Sequence, residues 1–125
     1  MAAVTTETSV LIDSVVRGHH IYKRIWTPFL GETLKLEREN DNPYDQYAVT
    51  INKDGEVVGR VPKELSRIFS NFMLSGGDIE CKITGKRKLG KGLEVPCVYI
   101  CNGLKKELGK LKKMTQKYIK TEIKH

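Results

Sequence analysis

The sequence predicts a small, mainly β domain: a barrel of short strands with one inserted helix and an amphipathic helix at the C-terminus. Short runs of alternating or β-branched residues recur between turn signals, as in small barrels. Asp54-Gly55 joins two of these runs, and this dipeptide is the strongest short-range signal for a hairpin. A chain of 125 residues has the size of one domain and is long enough to bury a core.

The strands are predicted from the N-terminus onward. Met1 to Thr8 is small and polar and is expected to be disordered. Ser9 to Arg17 is rich in β-branched residues and stops at Gly18, and Glu32 to Glu39 alternates like a half-buried strand. The remaining predicted segments are strands at Tyr47 to Asn52, after Gly55, at Asp78 to Thr84 and at Leu93 to Cys101, and a basic loop at Lys86 to Lys91. The barrel is therefore expected to span residues 9–103.

Two stretches have helical periodicity. The first begins at Pro62, which is favoured in the first turn of a helix, and ends before Gly76-Gly77. Its apolar residues share one face and are expected in the core: Leu65, Ile68, Phe69, Phe72 and Met73. The second covers residues 104–125, where apolar residues lie on one side of a helix and lysines on the other: Leu104, Leu108, Leu111, Tyr118 and Ile119.

Three roles are open for this C-terminal helix: packing on the barrel, an arm on nucleic acid, or a connection to a further domain of a longer protein. The apolar side favours packing with the lysines exposed, and phosphate contact is then a secondary role. The net charge of the chain is +7, and eight lysines against two glutamates give +6 to residues 104–125. Residues 1–103 are left at +1, so attraction to phosphate must come from local patches or from the tail.

Several classes of function find no support in the sequence. No Walker loop, no metal-ligand cluster and no nucleophile–base pair of familiar spacing is present, so we expect a binding module without a cofactor or metal rather than an enzyme. A nuclease site would have mainly Asp41 and Asp45 to draw on. No apolar run approaches the ~20 residues of a membrane helix, and the N-terminus does not resemble a signal peptide. These features predict an intracellular protein, nuclear or cytoplasmic, with no membrane partner.

The cysteines agree with that compartment. Cys81, Cys97 and Cys101 are odd in number and form no Cys-x-x-Cys, which argues against a disulfide framework. The histidines offer no spacing that would complete a zinc site with them. Buried structural thiols are therefore the favoured interpretation.

The turn before the hairpin is the first candidate binding site. In Asn42-Pro43-Tyr44-Asp45, turn chemistry accounts for Asn, Pro and Asp, because proline presets φ and Asx side chains bond their own backbone. It does not account for Tyr44. An exposed tyrosine beside a carboxylate on a rigid loop can stack on a base or sugar and accept a hydroxyl hydrogen bond.

The segment after the first strand is the second candidate. His19 to Trp26 mixes cations and aromatics, including His20 and Tyr22, a composition expected where a nucleic-acid strand lies on a protein. The alternative is an ordinary amphipathic segment with Trp26 in the core and Lys23 in solvent. Both interpretations remain open from the sequence.

A set of short motifs resembles the HIRAN domain, a module found alone or fused to SWI/SNF-type DNA translocases. The motifs are Asn42-Pro43-Tyr44-Asp45, Ala48-Val49, Gly55, Val58-Gly59 and Pro62-Lys63-Glu64-Leu65. The resemblance covers about Val10 to Asn102 and implies a small barrel related to the OB fold. It further implies binding of single-stranded DNA, capture of a free 3′-hydroxyl end, and a role in DNA repair or replication-fork processing. A protein-interaction module, or a barrel without end specificity, is the alternative.

The resemblance also assigns roles by position. Tyr44 would stack on the terminal nucleotide, Asp45 would accept a hydrogen bond from the 3′-hydroxyl, and Asn42 and Lys63 would hold base or phosphate. The candidate DNA-binding residues are Asn42, Tyr44, Asp45, Arg60, Lys63, His20 and Tyr22.

The chain departs from the family pattern in three places, one of them a pair of adjacent residues. Characterised members have Arg-Tyr where this chain has His20-Ile21, a histidine where it has Arg60, and an aromatic where it has Leu93. His20 and Arg60 can still contact phosphate. Losing two aromatics weakens stacking by ~1–3 kcal/mol per stacked base, so micromolar rather than nanomolar affinity is expected.

Overall fold

A computed structural model describes residues 9–19, 26–39, 41–90 and 92–122, with the backbone alone for residues 118–122. These residues form eight strands, two α-helices and one 3₁₀ turn. The elements are β1 Ser9–Val16, β2 Thr33–Arg38, β3 Val49–Lys53, β4 Glu56–Arg60, α1 Lys63–Leu74, β5 Asp78–Ile83, β6 Lys88–Gly90, β7 Gly92–Asn102, α2 Lys105–Met114, the 3₁₀ turn Gln116–Tyr118 and β8 Ile119–Glu122. The prediction of a mainly β fold with one inserted helix is confirmed.

The sheet closes on itself to make a barrel. Its strands are antiparallel in the order β4-β3-β2-β5-β7-β1-β8, and β6 pairs with β7. Arg17, directly after β1, exchanges two backbone hydrogen bonds of 2.8 and 2.9 Å with Arg60 at the end of β4. Because β7 occupies one edge of β1, the other edge is shared between β8 and this bridge to β4.

β1 and β4 approach each other closely enough to require a glycine at the bridge between them. A Cβ placed on Gly59 would lie 2.3 Å from Cγ1 of Val16, a distance that side chains do not tolerate. The β3–β4 hairpin requires positive φ angles in its turn. Asp54 and Gly55 have φ of 52° and 84°, as a type I′ turn requires, so the hairpin prediction is confirmed.

The core is built from the inward faces of the strands and one face of α1. Leu65, Phe69 and Phe72 of α1 are buried, and the Phe69 ring meets the edge of Tyr99 at 5.1 Å between centroids. The Tyr99 hydroxyl donates to the carbonyl of Val15 at 2.7 Å, so its polar atom is satisfied inside the barrel.

The C-terminal segment is not the single helix that its periodicity predicted. The helix α2 ends at Met114, and after the 3₁₀ turn β8 pairs with β1, so Ile119 lies in a strand. An unpaired stretch of β1 offers backbone partners that a longer helix would leave unused, and this pairing satisfies them. Leu108 and Leu111 are buried as expected, whereas Leu104 is 65% exposed and lies outside the core.

The basic segment from Lys86 to Lys91 also differs from its prediction as a loop. Residues Lys88–Gly90 form β6, which pairs with Gly92–Glu94 of β7 as a hairpin, and Leu89 on it is exposed. A strand is recognised in a sequence by alternation of apolar and polar residues. A run of cations with one apolar residue has little alternation, so neither this strand nor its register could be predicted.

All three cysteines are free and buried, as predicted. Burial raises the pKa of the Cys101 thiol, and the neighbouring Cys97 thiol together with burial raises the pKa of Cys81. No helix in the described ranges is long and apolar enough to cross a bilayer.

Candidate functional site

The turn at Asn42 is held by its own side chain. Oδ1 of Asn42 accepts hydrogen bonds from the backbone N–H of Tyr44 at 2.8 Å and of Asp45 at 3.1 Å. This is the Asx turn that the sequence predicted, with Pro43 inside it. Tyr44 is held at the tip with 96% of its surface exposed, a degree of exposure that core packing cannot explain.

The carboxylate of Glu39, directly after β2, holds the turn in place. Oε1 of Glu39 accepts from Nδ2 of Asn42 at 2.9 Å and from Nη1 of Arg60 at 2.7 Å. The hydrogen bond from Arg60, followed by the one from Asn42, lowers the pKa of Glu39 below its ordinary value of 4.5. Glu39 is therefore charged at neutral pH and ties the turn to the end of β4.

The same barrel closure that joins β1 to β4 places Arg60. Its backbone is fixed by the paired hydrogen bonds with Arg17, and its guanidinium then reaches back to Glu39. The arginine side chain thus approaches the turn from the opposite wall of the site.

Asp45 completes the turn on its far side. Its Oδ1 accepts from the backbone N–H of Tyr47 at 2.9 Å, and its carbonyl accepts from the N–H of Ala48 at 3.2 Å. Within the described residues, no partner is found for its second carboxylate oxygen. A fixed carboxylate with one such oxygen is a hydrogen-bond acceptor for an incoming hydroxyl.

These residues surround one cavity, which we call the turn pocket. Its volume is about 230 Å³, and the first turn of α1 forms one side of it. The lining residues are Asn42, Tyr44, Asp45, Ala48, Val49, Arg60, Val61, Lys63 and Ser66. Five of the seven residues singled out from the sequence meet here: Asn42, Tyr44, Asp45, Arg60 and Lys63. The other two, His20 and Tyr22, lie outside the described residues.

The described ends of the second candidate segment are buried. Trp26 is 2% exposed and stands edge-on to His19 with 5.4 Å between centroids, so for Trp26 the core interpretation holds. Nη1 of Arg87 lies 3.1 Å from Nε2 of His19, which ties this segment to the β6–β7 hairpin.

Sequence reasoning missed three contributors to the site. Glu39 was assigned to the polar face of a strand, although it is the residue that joins Asn42 to Arg60. Tyr47 was predicted in a strand and Arg67 in the helix that begins at Pro62, yet the Arg67 guanidinium lies over the Tyr47 ring at 5.2 Å. The position of Glu39 three residues before Asn42 was the one available signal, and the other pair comes together through tertiary structure alone.

The described part of the chain contains no cluster of three or more His, Cys, Asp or Glu side chains able to hold a metal ion. The groups that line the turn pocket are an exposed aromatic ring, a carboxylate acceptor, and the cations Arg60 and Lys63. Such groups stack, accept hydroxyl hydrogen bonds and contact phosphate.

The fold and the site define the class as a small OB-like antiparallel barrel with a polar pocket beside its inserted helix. The sequence model of the HIRAN domain matches residues 24–95, more than half of the chain. The chain belongs to the HIRAN domain family, and the resemblance stated from the motifs is confirmed. A helicase-like transcription factor from Oryctolagus cuniculus is 33% identical over 70 residues. The match takes in 54% of this chain and 7% of that protein, so the chain corresponds to a small part of this relative.

Solved structures show the same fold. The crystal structure of the HIRAN domain of human HLTF superposes with a TM-score of 0.69 at 23% identity, covering 89% of this chain and 93% of that one. The NMR structure of the HLTF HIRAN domain in its DNA-bound conformation gives a TM-score of 0.63 at 20% identity, covering 91% and 90%. At these identities the likeness establishes the fold, and the function has to be argued from the site.

Proposed function

We propose that this domain binds single-stranded DNA and captures a free 3′-hydroxyl end in the turn pocket. The observation that carries the proposal is Tyr44, 96% exposed on a turn that three side-chain hydrogen bonds hold in place. Because the turn already holds the exposed ring in place, little conformational entropy is lost when a base stacks on it. The DNA-bound conformation recorded for the HLTF domain, which has the same fold, supports this choice of ligand.

Each group of the turn pocket has a role in this proposal. Tyr44 stacks on the terminal nucleotide, and Asp45 accepts a hydrogen bond from its 3′-hydroxyl. Lys63 and Arg60 contact the phosphate that precedes it, and Asn42 keeps the turn in shape through its amide hydrogen bonds. A 3′-phosphate would bring negative charge against the carboxylate of Asp45, so a strand that ends in 3′-phosphate binds more weakly.

The wider role is proposed from the kind of protein that carries the domain. The curated relative is a helicase-like transcription factor of which this chain matches a small part. We propose that the domain acts as a non-enzymatic DNA-binding part of a larger assembly in the nucleus, in DNA repair or replication-fork processing.

Comparison of matched oligonucleotides tests the proposal. Fluorescence anisotropy should show preference for a single strand over the same sequence as duplex, with micromolar affinity. A strand ending in 3′-hydroxyl should bind roughly tenfold or more tightly than one ending in 3′-phosphate, because an unmade buried hydrogen bond costs ~1–3 kcal/mol. A change at the 5′ end should have no effect.

Variants assign the effects to residues. Tyr44→Ala should lower the affinity for 3′-hydroxyl and 3′-phosphate strands by the same factor, whereas Tyr44→Phe should keep most of the affinity. Asp45→Asn should make the affinities for the two strands more nearly equal. Phe29→Ala is the matched control, since Phe29 is 59% exposed and does not line the turn pocket. Equal binding of both 3′ ends by the native protein would refute end capture. If single strand and duplex bind with equal affinity, and both affinities fall alike as the salt concentration rises, the binding is nonspecific attraction between lysines and phosphates.

A further inference from the structure

A second cavity adjoins the turn pocket on the side of helix α1, and we call it the helix pocket. It has a volume of about 300 Å³ and shares four residues with the turn pocket: Tyr44, Asp45, Lys63 and Ser66. Its remaining lining residues are Tyr47 and Arg67. Because the same Tyr44 side chain borders both cavities, a ligand that stacks on it in one cavity can continue into the other.

The helix pocket contains a flat, charged platform. Cζ of the Arg67 guanidinium lies over the ring of Tyr47, 5.2 Å from its centroid, so the ring supports the arginine side chain. The backbone N–H of Tyr47 is bound by Asp45 at 2.9 Å, which couples the position of this platform to the turn. Guanidinium and aromatic planes are both surfaces on which nucleobases stack.

The local charge suits a phosphodiester. Lys63 and Arg67 are four residues apart on α1, and so they lie on one face of the helix with both side chains exposed. The carboxylate between them in sequence, Glu64, is paired with Arg17 by contacts of 3.3 Å. Glu64 therefore does not neutralise the cations of the helix pocket, where Asp45 is the carboxylate among the lining residues. Lys63 is left to contact the phosphodiester, and Arg67 to stack on a base.

We propose that Arg67 and Tyr47 form a second nucleotide subsite, which holds the base next to the 3′-terminal one. The inference rests on the proposed binding of single-stranded DNA and extends it by one nucleotide. The terminal base lies against Tyr44 in the turn pocket, the chain passes Lys63, and the penultimate base stacks on the Arg67 guanidinium in the helix pocket. Two bases held on separate supports give the site a preference for strands over single nucleotides.

The decisive experiment removes the penultimate base from the DNA and the Arg67 side chain from the protein, separately and together. Binding is measured by anisotropy for a labelled hexathymidylate with a free 3′-hydroxyl, and for the same strand with an abasic site at the penultimate position or at the fifth position from the 3′ end. Arg67→Ala should weaken the intact strand by about tenfold, the size expected for one stacked base. It should leave the affinity for the penultimate abasic strand unchanged, and the distal abasic site should bind and respond like the intact strand.

Two further variants separate stacking from charge. Arg67→Lys keeps the positive charge and loses the planar group, so it should behave like Arg67→Ala. Lys82→Ala removes an exposed cation of β5 that lines neither pocket, and it should not change the affinity beyond a generic salt effect. Arg67 is exposed on α1, so circular dichroism should show the variants folded.

The outcomes distinguish this inference from the proposed function. If Arg67→Ala weakens intact and abasic strands by the same factor, or if Arg67→Lys restores full affinity, the arginine acts as a charge and the subsite is refuted. In either case the preference for 3′-hydroxyl over 3′-phosphate would persist, and end capture at Asp45 would stand. Failure of the native protein to bind any single strand would overturn both.

Discussion

At the scale of the residue, Glu39 shows how the residue that follows a strand becomes part of a binding site. Its carboxylate lies between the amide of Asn42 and the guanidinium of Arg60 and accepts a hydrogen bond from each. The turn is therefore held in two ways. The Asn42 side chain accepts hydrogen bonds from the backbone of Tyr44 and Asp45, and Glu39 links Asn42 to Arg60. A pocket whose walls are fixed before the ligand arrives loses less entropy on binding.

The first prediction concerns the ionisation of Glu39. Arg60→Ala should raise the Glu39 pKa back toward its ordinary value of 4.5, because Arg60 is the largest cause of its lowering. A carboxyl group with a lowered folded pKa adds stability that is present above the unfolded pKa and is lost as the pH falls through the folded pKa. The native protein should therefore keep this contribution above pH 4.5 and lose it as the pH falls from there through the lowered pKa of the folded state.

An NMR titration of the Glu39 carboxyl carbon measures this shift. Lys63→Ala is the control, because Lys63 lines the same pocket without being a cause of the Glu39 shift. An unchanged midpoint in Arg60→Ala would mean that the ion pair does not persist in solution.

At the scale of the element, the C-terminal segment is a structural part of the barrel. The helix α2 buries Leu108 and Leu111, and β8 covers part of the free edge of β1. The lysines of α2 remain at the surface, as the packing interpretation expected, and their contact with phosphate stays a prediction. An edge covered in this way is also protected from pairing with other chains.

The second prediction follows from the burial of these leucines. Leu108→Ala or Leu111→Ala should lower the free energy of unfolding by ~2–5 kcal/mol, as other large-to-small core substitutions do. Leu104→Ala, on the same predicted stripe, should cost well under ~1 kcal/mol because Leu104 is 65% exposed. Urea unfolding followed by circular dichroism gives all three values. Similar losses in the three variants would contradict the shortened helix and its packing.

At the scale of the whole molecule, all three thiols are buried in the barrel wall. Cys81 and Cys101 lie on β5 and β7, and burial raises the pKa of both, with Cys97 the largest cause for Cys81. A thiol whose pKa is raised stays protonated, and the thiolate is the reactive form. The thiols should therefore react only when the barrel opens.

The third prediction uses the thiols as a probe of global unfolding. At pH 8 the native protein should react with an aromatic disulfide reagent far more slowly than the urea-unfolded chain, and all three thiols should react at one common rate. Stability should also fall above pH 9.0, the ordinary thiol value, because the unfolded chain releases protons there that the folded one retains. One fast-reacting thiol would indicate local opening of the β5–β7 pair instead.

The sequence by itself determined the elements whose signals are local. The strands near Ser9, Glu32, Tyr47, Asp78 and Leu93, the Asp54-Gly55 turn and the helix after Pro62 all appear within a few residues of their predicted bounds. Periodicity and turn chemistry depend only on residues that are close in sequence, so these elements can be predicted without knowledge of the tertiary structure. The Asx turn at Asn42 belongs to the same class, since its hydrogen bonds span at most three residues.

Tertiary structure alone decided the features that join distant parts of the chain. The Arg17–Arg60 bridge, the return of β8 to β1 and the Arg67–Tyr47 platform connect segments with no sequence relation to each other. Even the tail, with a clear helical stripe, changes to a strand after Met114 because an open sheet edge offers more hydrogen bonds than a further helical turn. Pairing and burial outweigh local propensity wherever the two compete, and the candidate site is assembled where distant segments meet.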